Sequence, residues 1–525
     1  TKFYHHTPKI EMPGTGTATI GFFNATTGTT NNDGMLLGFS SSSQVGFINV
    51  NEASHGFVLK TGSSAQSSER LRISGVGTVS IRNGTEEMVN AKPNAAVELY
   101  HNGSKKFETT NTGVTVHGDL AASQDYPNFR PTLDLNFAAQ KKLDPRITYS
   151  RSGPASFVNK FGKVVLVGDN APRFDHDPDT GECKGLLIEE SRTNFAPYGN
   201  DMSQYSSVNM TITANDEVAP DGTTTATKLA HGGGGNNWYL DYGISSVNAA
   251  GAGTYTYSVW VKAPDDQADD YYGCRIAILN STGGNVEQVF SLKKTWSRIT
   301  ITKTYGASES GFIRIHPIIF RNTPGNTDGG KVIPSYVWVW GSQWEQGSFK
   351  TSYIPTYSET ATRGADLVEI TEEEFSEFYN RTEGSIVSEI MLPSSWPISG
   401  YGSYMMTLSD GSYNNRVTLA SSTGSAQFNA DINIGSNNPT RANLGSYTSG
   451  SHSIKAAMAY KISDSAGCLN GAAAVTSSPS GTLPLLTRAD IGKDHLNYNL
   501  LNGHMKRLMY YSKRLPNNQL RTLTS

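Results

Sequence analysis

The sequence predicts an all-β protein of several domains, and three observations predict it. Charged residues make up 17% of the chain, well below the ~25% of an average soluble domain. Uncharged polar residues fill the gap, which suits extended β structure better than helix bundles or disorder. Segments such as Thr254-Tyr-Thr-Tyr-Ser-Val-Trp-Val-Lys262, Trp296-Ser-Arg-Ile-Thr-Ile-Thr302 and Tyr336-Val-Trp-Val-Trp340 alternate or are rich in β-branched and aromatic residues. Length sets the number of domains: 525 residues, at ~150 per domain, give three or four.

Residues 1–120 read as short strands broken by Gly and Asn. A faint repeat runs through them. Phe57-Val58-Leu59, Glu69-Arg70-Leu71-Arg72-Ile73 and Gly77-Thr-Val-Ser-Ile81 are echoed by Val97-Glu98-Leu99, Lys105-Lys106-Phe107-Glu108 and Gly113-Val-Thr-Val116. One copy holds too few large apolar residues to bury a core of its own. Three copies side by side around an axis would supply the missing surface; the other reading is an irregular β domain. The phrase Glu98-Leu-Tyr-His-Asn-Gly-Ser-Lys-Lys-Phe-Glu-Thr-Thr110, followed by Thr112-Gly-Val114, resembles the shaft repeats of phage tail fibres, and that resemblance implies a homotrimer.

Residues 121–195 form a junction. Ala138-Ala-Gln-Lys-Lys-Leu-Asp-Pro145 has room for one helical turn stopped by Pro145. Arg173 to Glu189 reads as a hairpin whose tip, Pro178-Asp-Thr-Gly181, has turn chemistry. Residues 196–367 carry the alternating strands of a jelly-roll sandwich. Thr371-Glu-Glu-Glu-Phe-Ser-Glu-Phe-Tyr379 then reads as a short helix with Thr371 as N-cap and Phe375 and Phe378 on one face. Residues 368–525 end in a strand and a short helix after Pro516.

Several phrases resemble known families. Pro131-Thr-Leu-Asp-Leu-Asn-Phe137 through Gly185-Leu-Leu-Ile-Glu-Glu-Ser-Arg-Thr-Asn194 resembles the junction of bacteriophage tail-fibre and head-fibre proteins. Tyr255-Thr-Tyr-Ser-Val-Trp-Val-Lys262, then Trp296-Ser-Arg-Ile299, then Trp344-Glu-Gln-Gly-Ser-Phe-Lys-Thr-Ser-Tyr-Ile-Pro-Thr356 with Thr362-Arg-Gly-Ala-Asp366 resembles a jelly-roll carbohydrate-binding module. Thr382-Glu-Gly-Ser-Ile-Val-Ser-Glu389 and Asn502-Gly-His-Met-Lys-Arg-Leu-Met-Tyr-Tyr511 resemble the ends of concanavalin A-like (laminin-G-like) lectin sandwiches. Together they imply an extended N-terminal trimeric β shaft, a jelly-roll sandwich and a concanavalin A-like sandwich.

Sugar binding needs flat apolar faces for pyranose rings, with amides and carboxylates for the hydroxyls. In His231-Gly-Gly-Gly-Gly-Asn-Asn-Trp-Tyr-Leu-Asp241 the glycines let a loop bend away, and Asn236, Asn237, Trp238, Tyr239 and Asp241 supply both kinds of contact. Tyr271 and Tyr272 offer a second patch. The competing account is that Trp238 and Tyr239 begin an edge strand. Tyr336, Trp338 and Trp340 share a strand face and are expected to pack in the core.

Other chemistry finds little footing. No Gly-Lys-Ser/Thr follows the glycine run, and neither GxSxG, HExxH nor a Cys/His constellation is present, so no enzyme and no cofactor are expected. Asp175-x-Asp177-x-Asp179 superficially resembles a calcium loop, but its glycine is one place late, and a hairpin tip is expected instead of a metal site. Asp265 to Asp270 is read as a solvated acidic loop. The net charge of −3 argues against nucleic acid. Cys183, Cys274 and Cys468 suggest neither a disulfide framework nor a zinc site. No run approaches the ~18 apolar residues of a membrane span. The start, Thr1-Lys-Phe-Tyr, lacks a Met and a signal pattern, so an anchor upstream is expected.

What the resemblance implies for function is a structural subunit of a bacteriophage virion fibre. It would be homotrimeric, held to other virion proteins at its N-terminal end, and would attach to host-cell surface glycans without inserting into membrane. The alternatives are a polysaccharide-degrading tailspike, or an architectural part that docks other virion proteins.

Overall fold

The computed structural model describes residues 18–23, 34–40, 45–50, 55–62, 69–117, 127–232, 238–244, 252–264, 272–280, 284–306, 311–316, 327–328, 331–332, 335–393, 402–422, 427–436, 438–446 and 453–525. The protein is all-β, with antiparallel sheets predominating, and it divides into two compact units, Thr1–Ala122 and Ser123–Ser525.

In the first unit, Ala18–Phe22, Met35–Ser40 and Val45–Val50 form a three-stranded sheet. Seven further strands, from Phe57–Lys60 to Gly113–Val116, form a meander in which each strand pairs with the next. The registers set Leu59 beside Leu71, Leu71 beside Ile81, Ile81 beside Val89, Val89 beside Leu99, Leu99 beside Phe107 and Phe107 beside Val116. Because side chains alternate along a strand, these residues share one face, and that face is apolar across all seven strands. The opposite face pairs its own charges. Glu69 binds Arg72, and Glu98 binds Lys92 at 2.8 Å and Lys105 at 2.5 Å.

Burial in this meander is inverted. Glu69, Ser80, Asn90 and Glu98 are buried, whereas Ile81, Leu99 and Val97 are 47%, 41% and 39% exposed. Leu36 is the one buried hydrophobic side chain among the described residues of the unit. Water therefore meets the face that the hydrophobic effect would normally remove from it.

The second unit is built from two sandwiches with an order that the sequence does not announce. The C-terminal sandwich draws strands from the segment expected as a separate junction. Leu133–Leu135 and Cys183–Ile188 both pair with Gly503–Tyr511, and Thr148–Ser150 pairs with Leu367–Thr371. The strands 133–135, 148–150, 174–176 and 183–188 thus belong to sheets completed by residues 367–511, Ala155–Val158 and Val164–Val167 pair only with each other, and the jelly roll is an insertion after them. Where the chain enters and leaves the insertion, Arg192–Asn194 pairs with Ala361–Arg363. The two sheets of the C-terminal sandwich close on a core that includes Leu186, Ile188, Val368, Ile386, Leu408 and Leu508. Outside one sheet, small residues Ala457, Ala459 and Ala466 admit Leu520 of the terminal helix Asn517–Thr524.

Local signals explain the short helices. Asn136 caps Phe137–Gln140 by accepting from the Ala139 amide at 3.1 Å. That helix ends at Lys141, which adopts the left-handed conformation, and not at Pro145. Glu372–Phe378 buries Phe375 and Phe378 as expected, although Thr371 makes no side-chain cap.

In the jelly roll, Tyr255, Tyr257, Val259 and Val261 point inward from Gly253–Lys262 and meet Ile276 and Ile313 of the facing sheet. Tyr336–Gln346 lies beside this strand. Here Val337 and Val339 alone face the interior, and Trp338 and Trp340 lie on the outer face, so the aromatic stripe does not fill the core between the sheets. Further along, at Gly341 (φ +68°), a bulge shifts the register and reverses the parity, so Trp344 turns inward. A Cβ at Gly341 would lie 2.6 Å from the Trp260 ring.

Candidate functional site

The outer face of that five-stranded sheet forms one wall of a cleft of about 730 Å³ within the second unit. Trp260, Lys262, Trp296, Arg298, Lys350 and Tyr353 come from the jelly roll. The separate hairpin Ala155–Val158/Val164–Val167 lines it as well, Asp175, Lys184 and Glu189 come from or follow the first strands of the C-terminal sandwich, and His504 comes from its last strand.

Burial and hydrogen bonds fix these groups. Trp260 and Trp296 are half-buried against Val164, Ala219, Trp340 and Tyr353. The Trp296 indole N–H donates to the Val218 carbonyl at 2.9 Å, which fixes that ring. The Arg298 guanidinium lies 4.3 Å from the Trp260 ring and donates to the Thr351 carbonyl at 2.7 Å and Ser258 Oγ at 2.9 Å. Arg298 Nε and the Tyr353 hydroxyl have no protein partner. Lys350 donates to the Arg298 carbonyl at 3.2 Å. Burial, with Arg298 adding to it, pulls the Lys350 amine down to about 8.

Asp175 accepts from His504 Nε2 at 2.7 Å and from the Val158 amide at 2.6 Å, and Lys184 lies 3.0 Å away. Burial opposes its ionisation, yet His504 and Lys184 outweigh it and hold the carboxyl well below its usual range.

A buried polar network underlies the cleft. Arg173 bridges Glu189 at 2.8 Å and Asp366 at 2.5 Å, and Arg363 meets Glu189 at 2.9 Å. Ser352 donates to Glu189, and Tyr149 donates to Asp366. Burial disfavours the Glu189 charge, but Arg363 and Arg173 prevail and lower it to about 2. Its folded pKa is depressed, so its contribution is complete above 4.5, the unfolded value, and is lost as pH falls towards 2. Thermal unfolding followed from pH 5 to pH 2 is expected to show a falling midpoint, with a shallower fall in Glu189→Gln.

The residues expected from sequence lie elsewhere. Trp238 is 6% exposed, its edge on the His231 ring at 4.2 Å, beside Met210. This corrects the reading of Trp238 as a free stacking face. Tyr239 and Asp241 share one strand, Tyr239–Ile244. Arg314 covers the Tyr239 ring at 3.5 Å and grips both oxygens of Asp241 at 2.6 Å, so the pair is already engaged. Tyr272 opens the strand Tyr272–Asn280. Asn236, Asn237, Tyr271 and the acidic run 265–270 lie outside the described residues. Asp177 accepts from the Asp179 and Thr180 amides at the hairpin tip, which is turn geometry. Among the described residues no cluster of His, Cys, Asp or Glu is arranged to hold a metal, and no helix is long and apolar enough to cross a membrane.

Sequence reasoning missed the cleft, although two of its phrases carried a signal. Trp296-Ser-Arg298 and Phe349-Lys350 each place a cation within two residues of an aromatic side chain. Chemically, the cleft offers indoles for a ring to lie against, with N–H and O–H donors and ionised carboxylates around them.

No family model and no curated protein matches the chain. Solved structures resemble it loosely. The sialidase carbohydrate-binding module CBM40 of Ruminococcus gnavus, in complex with α2,3-sialyllactose, is 12% identical, with a TM-score of 0.25 over 29% of this chain and 89% of its own. The C-terminal CBM6 of a laminarinase from Zobellia galactanivorans is 12% identical, at 0.18 over 30% and 100%. Domains LG4-5 of the mouse laminin α1 chain are 10% identical, at 0.21 over 54% and 88%. Likenesses of this size bear no weight for function.

Proposed function

We propose that this chain is a non-enzymatic, homotrimeric subunit of a bacteriophage virion fibre that holds host-cell surface glycans in the cleft beside Trp260 and Trp296. The observation that carries the proposal is the cleft: two half-buried indoles set among N–H and O–H donors and ionised carboxylates, the composition a pyranose requires. The exposed apolar face of the N-terminal meander supports assembly with further copies of the chain. The ordered phrases that resemble fibre junctions and shafts support the virion, the trimer and attachment to other virion proteins at the N-terminal end.

One feature argues for binding without cleavage. Asp175 and Glu189 are both held ionised by basic neighbours, whereas glycoside hydrolysis needs one carboxyl kept protonated as general acid. Three copies of a weak site on one particle would gain apparent affinity of ~10²–10⁴ by avidity.

A glycan array probed with the full chain tests the proposal. Binding to a subset of glycans is expected, with no new reducing ends released from host polysaccharide. Trp296→Ala should weaken binding about tenfold, the equivalent of about 1.4 kcal/mol, close to the upper range of an aromatic contact. A blank array would favour the architectural role, and new reducing ends would favour the tailspike enzyme.

A further inference from the structure

We infer that the cleft selects a glycan that carries a carboxylate. This rests on the glycan-binding reading above and names its substrate class. The argument is a charge balance within the cleft. Each of its acids is matched: Asp175 by Lys184 and His504, Glu217 by Lys262 at 3.6 Å, and Glu189 by Arg173 and Arg363 from beneath. Three cations remain. Among the described residues, no carboxylate lies within ion-pair distance of Lys163, Arg298 or Lys350, all of which line the cleft. The chain as a whole has a net charge of −3, so a local positive excess runs against the average.

These cations are not equivalent. Lys163 is exposed, at the rim. Arg298 lies beside the Trp260 ring with its Nε buried and its two terminal nitrogens donated to the Thr351 carbonyl and Ser258 Oγ, so it lends the cleft charge and not a free donor fork. The carboxylate behind it, Glu345, is already bonded to Gln343 and to the amide and hydroxyl of Thr351. Lys350 is half-buried between Phe349 and Thr351, both buried. Glu345 favours the charges of Lys350 and Arg298 only from beyond ion-pair distance, and a cation held out of water with no carboxylate in contact costs the fold stability. An anionic ligand would supply the missing charge in a place where water screens it little.

Calorimetric titration of the full chain tests the inference with four probes: a hyaluronan tetrasaccharide, the same tetrasaccharide with its carboxylates reduced to alcohols, cellotetraose, and a sulfated carrageenan tetrasaccharide without carboxylates. The carboxylated probe should bind at least tenfold more tightly than its reduced form, and tighter than the sulfated probe. Lys350→Met and the rim variant Lys163→Gln should each remove most of that difference, so that the carboxylated and reduced probes bind each variant to within about threefold of one another. Lys350→Met should also raise the melting temperature, the opposite of what a lysine kept for structure would do. Equal binding of the carboxylated and reduced probes would overturn the inference and leave the glycan reading intact. So would a sulfated probe that binds as tightly as the carboxylated one. Heat from none of these probes, together with a blank glycan array, would overturn both.

Discussion

Asp366→Ala is expected to destabilise the second unit by about 3–5 kcal/mol, the cost of leaving a buried charge without its partner. Asp366 is fully buried and holds four groups at once: Arg173 at 2.5 Å, Arg151 at 3.4 Å, the Tyr149 hydroxyl at 2.5 Å and the Glu189 amide at 2.8 Å. Those partners come from residues 149–189, whereas Asp366 follows the jelly roll. The carboxylate therefore ties the end of the inserted domain to the first strands of the C-terminal sandwich. Its loss strands Arg173 and Arg151 in a site with one acid fewer. Asp366→Asn separates charge from shape: it keeps two hydrogen-bonding atoms and should still cost stability, because Arg151 loses its carboxylate and Arg173 keeps Glu189 alone. Chemical denaturation of both variants against the parent protein measures the effect, and unchanged midpoints would show that the network is not what joins the two sandwiches.

The second large effect is expected from Leu99→Lys in the N-terminal meander. Leu99 is flanked across the strands by Val89 and Phe107, in the middle of the apolar face. In an isolated chain the side chain is substantially exposed, and a lysine there would be nearly neutral, as surface substitutions usually are, within about 0.5 kcal/mol. Against two further copies of the chain the same lysine would have to be buried without a partner. The variant is therefore expected to sediment as a monomer and to lose the avidity component of glycan binding, about 10²-fold or more. Ile81→Lys, one strand pair away, should behave in the same way. Retained assembly in both variants would mean that the apolar face is not the contact between copies.

Much of the fold was legible in the chain. The alternation in Thr254–Lys262 identifies a strand and gives the right inward face, because Tyr255, Tyr257, Val259 and Val261 follow the pleat without interruption. The hairpin around Pro178–Gly181 was readable from its turn residues. The pairing of Leu133–Leu135 and Cys183–Ile188 with Gly503–Tyr511 was not. Strand partners more than 300 residues apart leave no trace in local periodicity, so the insertion of one sandwich into the other was hidden.

The stripe Tyr336, Trp338, Trp340 misled for a related reason. Large aromatics suggest an interior, but two valines suffice to face the core, and Val164 and Leu166 of the 155–167 hairpin pack on part of the outer face as well. Trp238 illustrates the converse, since a tryptophan next to a glycine run looks exposed and yet packs on His231. The cleft was beyond reach because its residues come from segments spread between Ser156 and His504. The phrases that resembled a module ending, Phe349 to Thr356 and Thr362 to Asp366, turn out to build the cleft floor and the buried charge network beneath it.

Sedimentation velocity of the full chain at micromolar concentration shows whether the apolar sheet face left open in one copy is closed by others. One species at three times the 56.7 kDa chain mass is expected. A single species at the mass of one chain would show that the face stays open to water.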